Sequence, residues 1–266
     1  MSNRIGIGSD TGDVNAFVVA SGGVISYDGN YKIHTFNSSD NFIVSAGGMI
    51  EVLIVGGGGM GGYGNGGGGG GGYPLHNTAV MVYPTTYAVV IGAGKIAENT
   101  ALPTKGGDST FYYLTAPGGG SGGRQLYDGN PGGNGGGAGG SATNSGNGGA
   151  GSPGNNGGNG VGIISYLDYT GSGGGAYSAQ PTGKNGADGL SLSISGSAVY
   201  YGGGGGGGLY TGAGGTGGNG GGGNGHSGAV GDNGTTNLGG GGGGGGNTNL
   251  GGNGGDGVCI IRYLYK

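Results

Sequence analysis

The stretch AGGSATNSGNGGAGSPGNNGGNG, residues 138–160, decides how the chain is read. From Ala138 a non-glycine residue recurs at every third position: Ser141, Asn144, Asn147, Ala150, Pro153, Asn156 and Asn159. The positions between are mostly glycine. A period of three fits neither the α-helix nor the strand. It is the repeat of polyproline II geometry, which has three residues per turn and no internal hydrogen bonds. Ala213, Thr216 and Asn219 keep the same step, as do Asn247, Leu250, Asn253 and Asp256.

Such a helix points every N–H and C=O outward, so each needs an external partner when buried. Two glycines per turn let neighbouring backbones approach closely enough to pair, and the third position faces outward. Fixing one residue costs about 1–2 kcal/mol, while a net backbone hydrogen bond returns about 0.5–1.5 kcal/mol. A lone glycine helix therefore fails. A packed bundle of polyglycine II helices, pinned at both ends and helped by Cα–H···O contacts, can hold. The competing expectation is disorder, the default for aperiodic glycine-rich sequence.

Glycine fills 89 of 266 positions, with 7 Pro, which excludes a collagen repeat. Between Lys105 and Arg262 the basic residues are Arg124 and Lys184, too few to neutralise a phosphate backbone, so no nucleic-acid partner is expected. No apolar run is long enough to cross a bilayer, so no membrane insertion is expected. No secretory signal is expected either. Cys259 stands alone and reads as a small buried hydrophobe, with no thiolate metal cluster.

Outside the glycine the chain reads as β-structure. VNAFVVA (14–20), GVISYDG (23–29), YKIHTF (31–36), NFIVSA (41–46), MIEVLIV (49–55), TAVMVYP (78–84), TYAVVIGAG (86–94) and STFYYLTA (109–116) are short and rich in β-branched and aromatic residues. Turn residues separate them. VCIIRYLYK (258–266) is one more strand. The expected fold is all-β plus polyglycine II, with no α-helix. A β-rich base over 1–116, carrying a glycine excursion at 56–72, forms a small β-sandwich. The bundle spans 117–257, and the strand at 258–266 returns to close the base.

EVLIVGGGGMGG (51–62) also matches the G-x-G-x-x-G spacing of a dinucleotide site. That motif needs a helix after the turn and an acidic residue about 20 positions on. Glycine runs to Gly72, Pro74 follows, and the next acid is Glu98, so no cofactor is expected. His34, His76 and His226 are scattered without ligand spacing, and no G-x-S-x-G is present. No metal, no catalytic residue and no enzyme are expected. His34, in an alternating strand, reads as structural.

The segments interrupting the glycine are RQLYDGNP (124–131), VGIISYLDYT (161–170), AYSAQPTGKNGADGLSLSISGSAVYY (176–201), LYT (209–211) and HSGAVGDNGTTNL (226–238). YPLHNT (73–78) reads similarly. Tyr supplies rigid contact area with a polar tip, and Ser, Gly and Asn supply adaptable hydrogen bonds, a paratope-like mixture. The candidate binding residues are Tyr127, Tyr166, Leu167, Tyr169, Tyr177, Tyr200, Tyr201 and Tyr210, with Asp128, Asp168 and His226 for polar selectivity. The same tyrosines read equally well as plugs for the end of a bundle.

A β start, period-three glycine blocks and aromatic loops resemble the glycine-rich proteins of tailed phages, in particular the receptor-binding adhesins at the long-tail-fibre tips of T-even-like phages. EVLIVGGGG and GDGVCIIRY resemble the strand-to-glycine junctions of a broader phage glycine-rich domain. The chain lacks the tryptophans of those adhesins' attachment domain. The resemblance implies a non-catalytic, virion-borne recognition protein of a tail fibre or virion surface, a polyglycine II sandwich, and distal loops that select a host cell-surface receptor, either an outer-membrane protein or a glycan. Its other partners would be a fibre or virion protein, or copies of itself. The alternative is a self-assembling subunit of an extracellular filament, fibre or capsid decoration, since β edges and glycine helices both offer unpaired backbone groups.

Overall fold

A computed structural model describes residues 17–100, 104–140, 146–160, 173 and 183–266. Its elements are β1 (Val19–Ser21), β2 (Val24–Asp28), β3 (Tyr31–Phe36), β4 (Asp40–Ala46), β5 (Gly48–Val55), β6 (Pro74–Val82), β7 (Thr85–Val90), β8 (Ser109–Phe111), β9 (Leu114–Ala116), β10 (Leu190–Leu192), β11 (Val199–Tyr201) and β12 (Val258–Leu264). Among the described residues there is no α-helix. One five-stranded sheet has the order β1-β4-β7-β8-β9 and another β2-β3-β12-β5-β6, while β10 and β11 form a hairpin of their own. All pairings between strands are antiparallel.

Strand patterning explains where the core sits. β4 and β7 alternate, burying Phe42 and Val44, and Tyr87 and Val89, on one face. These residues share a hydrophobic cluster with Val52, Ile54, Cys259 and Ile261 of the other sheet. β5 and β12 do not alternate. Val52–Val55 and Val258–Ile261 are buried continuously, the mark of a strand covered on both faces. Their second face, Leu53, Val55, Val258 and Ile260, packs with Ile194 and Tyr201 of the β10–β11 hairpin and its turn.

β12 lies between β3 and β5, with Ile261 opposite His34 on one side and Val52 on the other. The chain's end is thereby stitched into the centre of a sheet built from its beginning. His34 is buried inside this junction. Its Nδ1–H donates to the Gly22 carbonyl (2.7 Å), and its Nε2 accepts from the Tyr263 hydroxyl (2.9 Å). Burial pushes the His34 pKa down and the Tyr263 hydroxyl up to about 12.

The glycine segments are neither helix nor strand, yet they are densely paired. The N–H groups of Gly56, Gly59 and Gly62 donate to the carbonyls of Tyr73, Gly70 and Gly67. Those of Gly58, Gly61 and Gly64 donate to Gly255, Gly252 and Asn249. Gly57 donates to Gly107, while Gly119 and Gly122 donate to Gly57 and Met60. Gly59 and Gly62 in turn accept from Gly242 and Gly245, so one segment meets several neighbours, most of them at every third residue. The segment after β11 repeats this: Gly203, Gly206 and Leu209 pair with Gly220, Gly223 and His226; Gly204 and Gly207 with Ala187 and Lys184; Gly205 and Gly208 with Gly69 and Gly66. These bonds are 2.7–3.2 Å long. Neighbours run both parallel and antiparallel.

At most glycine positions this spacing leaves no room for a side chain between segments, although Met60 and Asn134 are buried there. A Cβ at Gly58 would overlap the Gly240 carbonyl, and one at Gly61 the Gly243 carbonyl. Side chains therefore stand on the flanks, where Asn and Asp carboxyl and carboxamide oxygens take N–H groups of the next segment. Gly148 donates to Asn159 Oδ1 and Gly151 to Asn156 Oδ1, both at 2.8 Å. Asn219 donates to Asp188 Oδ1 (2.8 Å) and Asn253 to Asn233 Oδ1 (2.8 Å).

The excursion at 56–72 consists of two segments, because Tyr63–Asn65 reverse the chain: Gly59 and Gly62 donate to Gly70 and Gly67. Two sequence expectations need correction. YPLHNT is not a loop between glycine runs, since Pro74 opens β6. The end of 176–201 is the β10–β11 hairpin laid on β5 and β12, not a distal loop.

Candidate functional site

The glycine segments run alternately away from the sheets and back. Val55, Tyr201 and Val258 anchor one end of the array. At the other end lie the reversals at 63–65, 124–127, 209–212, 227–230 and 247–250, linked by rungs such as Gly64 to Asn249, Gln125 to Tyr63 and Gly246 to Ala229. Each segment that ends here must reverse within a few residues, and the reversals supply the side chains that glycine does not. Leu126, Tyr127, Tyr210, Val230 and Leu250 are all exposed there.

Asn65, Leu126 and Asn247 have positive φ values of 54°, 75° and 53°. Left-handed backbone is common for Asn but rare for Leu, so Leu126 is held outward at a cost to the backbone. Arg124 lies over the Tyr127 ring, 4.9 Å from its centroid. Asn65 Oδ1 accepts the Asn247 N–H (2.8 Å), tying two reversals together. On one flank His226 Nε2–H donates to Asp232 Oδ1 (2.9 Å), and Asn224 donates to Asp232 Oδ2 (3.0 Å). The His226 hydrogen bond, helped by Asn224, holds the Asp232 carboxyl below the usual range, against the opposing effect of burial.

Of the sequence-derived site residues, Tyr127, Asp128, Tyr210 and His226 fall at or beside this end. Asp128 Oδ1 is engaged by the Asn147 N–H (2.7 Å). Tyr166, Leu167, Asp168, Tyr169 and Tyr177 lie outside the described residues. Tyr200 and Tyr201 belong to β11, at the sheet end. Tyr201 is 2% exposed and packs against Val55 and Ile260, so it serves the core rather than a binding surface. Burial also raises its hydroxyl pKa. Sequence reasoning missed Leu126, Val230 and Leu250. Leu250 fits the period-three register and was read as a flank position, although Asn247-Thr248-Asn249 before it carries turn chemistry.

At the far end of the sheets a groove of about 670 Å³ is lined by Phe17, Tyr31, Met49, Glu51, Met81 and Arg262 among others. Glu51 is fully engaged: Oε1 accepts from His76 (2.8 Å) and Oε2 from Arg262 (2.9 and 2.7 Å). Arg262 in turn lies over Tyr31. Such a network fixes β5, β6 and β12 to one another. Among the described residues no group of three or more His, Cys, Asp or Glu side chains is placed to hold a metal ion.

A comparison with curated proteins gives no match. The family model described as a glycine-rich domain matches residues 35–264, from within β3 to the last residue of β12. Its span takes in the glycine array and both large sheets apart from β1, β2 and the start of β3, and the chain belongs to this glycine-rich domain family.

Proposed function

We propose that this chain is a non-catalytic, virion-borne recognition protein of the phage tail-fibre adhesin type, which binds a host cell-surface receptor through the reversals at the end of its glycine array. In this reading the glycine segments are polyglycine II helices packed as a bundle, and the two large sheets form a β-sandwich closed by β12. The every-third-residue pairing with several neighbours supports the first point, and the hydrophobic cluster shared by the sheets supports the second.

The observation that carries the functional reading is the separation of roles along the bundle. Its body admits almost no side chains, while its far end displays Leu126, Tyr127, Tyr210, Val230 and Leu250 to solvent. Exposed apolar residues clustered on a rigid support suit recognition. Because their backbone is fixed by the array, their side chains can vary without disturbing the fold. The triple substitution Leu126→Ser, Tyr127→Ser and Tyr210→Ser is expected to abolish adsorption to host cells while leaving the melting temperature nearly unchanged. Unchanged adsorption, or equal loss of both, sinks the assignment.

The second reading, a self-assembling fibre, filament or capsid-decoration subunit, draws on β2. All five of its residues are exposed, Val24, Ile25 and Tyr27 among them. It is an edge strand without Lys or Pro, the kind that pairs with another chain. Replacing Ile25 with Lys would dissolve assemblies built on that edge and leave a tip-binding adhesin active.

A further inference from the structure

The chain has ten Asn–Gly pairs, all within the described residues. This dipeptide is chemically labile because an unbranched glycine lets its nitrogen reach the preceding carboxamide. Here the array guards nine of the ten. Gly66, Gly135, Gly157, Gly160, Gly186, Gly225, Gly234 and Gly254 donate their N–H to main-chain carbonyls of adjacent segments, and Gly148 donates to the Asn159 carboxamide. Each nitrogen must break that bond before it can attack.

Asn219–Gly220 is the exception. Among the described residues the Gly220 N–H has no acceptor. The pair sits in the reversal at the sheet end, where Gly220 and Gly221 have φ of +99° and +91°, and Asn219 is exposed. Gly220 is buried, but no acceptor holds its nitrogen, and the exposed Asn219 side chain is attached beside it where the chain leaves the regular array.

We infer that Asn219 is a deamidation site built into the fold, a water-driven modification that proceeds in the native protein while the other nine pairs persist. The Gly220 nitrogen gives its proton to solvent base and its lone pair forms a bond to Asn219 Cγ. The Cγ–Nδ2 bond breaks, and the amide nitrogen leaves as ammonia after taking a proton from water. Water then adds to either carbonyl of the five-membered succinimide and opens it to aspartate or isoaspartate. No oxidant or reductant is required.

The modified turn is held by named contacts. The Asn219 N–H donates to Asp188 Oδ1 (2.8 Å), the Asn219 carbonyl accepts from Gly189 (2.7 Å), and the Gly220 carbonyl accepts from Gly203 (3.0 Å). A new carboxylate beside Asp188 sets two negative charges together, and isoaspartate adds a main-chain carbon to the turn. The change falls at the sheet end and leaves the far reversals untouched.

The test is incubation of the folded full-length chain at mildly alkaline pH, with fragmentation mass spectrometry and isoaspartate methyltransferase labelling. A parallel sample is kept in denaturant. In the folded protein, conversion at Asn219 is expected to run about tenfold faster than at any other Asn–Gly pair, the factor set by roughly one net backbone hydrogen bond. In denaturant the ten pairs should convert at similar rates. Native conversion at Asn219 no faster than elsewhere would overturn the inference. So would the same preference in denaturant, which would trace it to local sequence rather than to the fold.

Discussion

His34 shows how much one side chain can join. It sits on β3 opposite Ile261 of β12, reaches back to the Gly22 carbonyl and takes the Tyr263 hydroxyl, so it ties the chain's beginning to its end. Burial, the largest influence, lowers its pKa below 6.5, and the nearby Lys32 charge adds to that. The unfolded chain then binds more protons than the folded one between the lowered value and 6.5, so stability rises with pH across that window. The contribution is complete above pH 6.5 and is lost as the pH falls through the folded value. Thermal unfolding followed from about pH 7.5 to about pH 5 should show this loss. A His34→Gln variant should be less stable at the upper end but flatter across the window. An unchanged slope in that variant would remove His34 as its cause.

At the scale of the elements, the two kinds of position in the glycine segments should respond oppositely to substitution. Gly61→Ala drives a Cβ into the Gly243 carbonyl and is expected to destabilise by about 1–3 kcal/mol in denaturant unfolding. Ala150, exposed at a third position, should tolerate Gly or Ser within about 0.5 kcal/mol. Asn159→Ala removes the acceptor of the Gly148 N–H and is expected to cost about 0.5–1.5 kcal/mol. Most strands were legible because their side chains obey a local rule: alternation in β4 and β7, continuous apolar runs in β5 and β12. The period of three was legible for the same reason. What the flanking Asn residues do was not, because their acceptor role depends on a neighbour far along the chain. Tyr201 was misplaced because a tyrosine packed over Val55 and a tyrosine facing a receptor look alike in sequence. The reversal at Tyr63–Asn65 was hidden because only two residues mark it within a long glycine run.

For the whole molecule, the glycine is worth its conformational entropy only if nearly every backbone group in the array is paired. The ends of the array make that possible, since Val55 delivers the chain from β5 and Val258 returns it to β12 beside the same strand. With both ends fixed in one sheet, the intervening segments are closed loops rather than tails. The proposed recognition surface inherits its rigidity from that pairing. The far end was partly legible: Tyr127 and Tyr210 stood out as aromatics breaking glycine runs, whereas Leu126, Val230 and Leu250 gained their place only from the fold. Hydrogen exchange of the isolated full-length protein, read amide by amide, addresses the pairing directly. Gly58, Gly61, Gly69, Gly205 and Gly242, each with a named carbonyl acceptor, should be protected to the same order as the central amides of β5 and β12. Exchange of these glycines at the rates of an unstructured chain, with the strands still protected, would contradict the account and leave the far reversals without a rigid support.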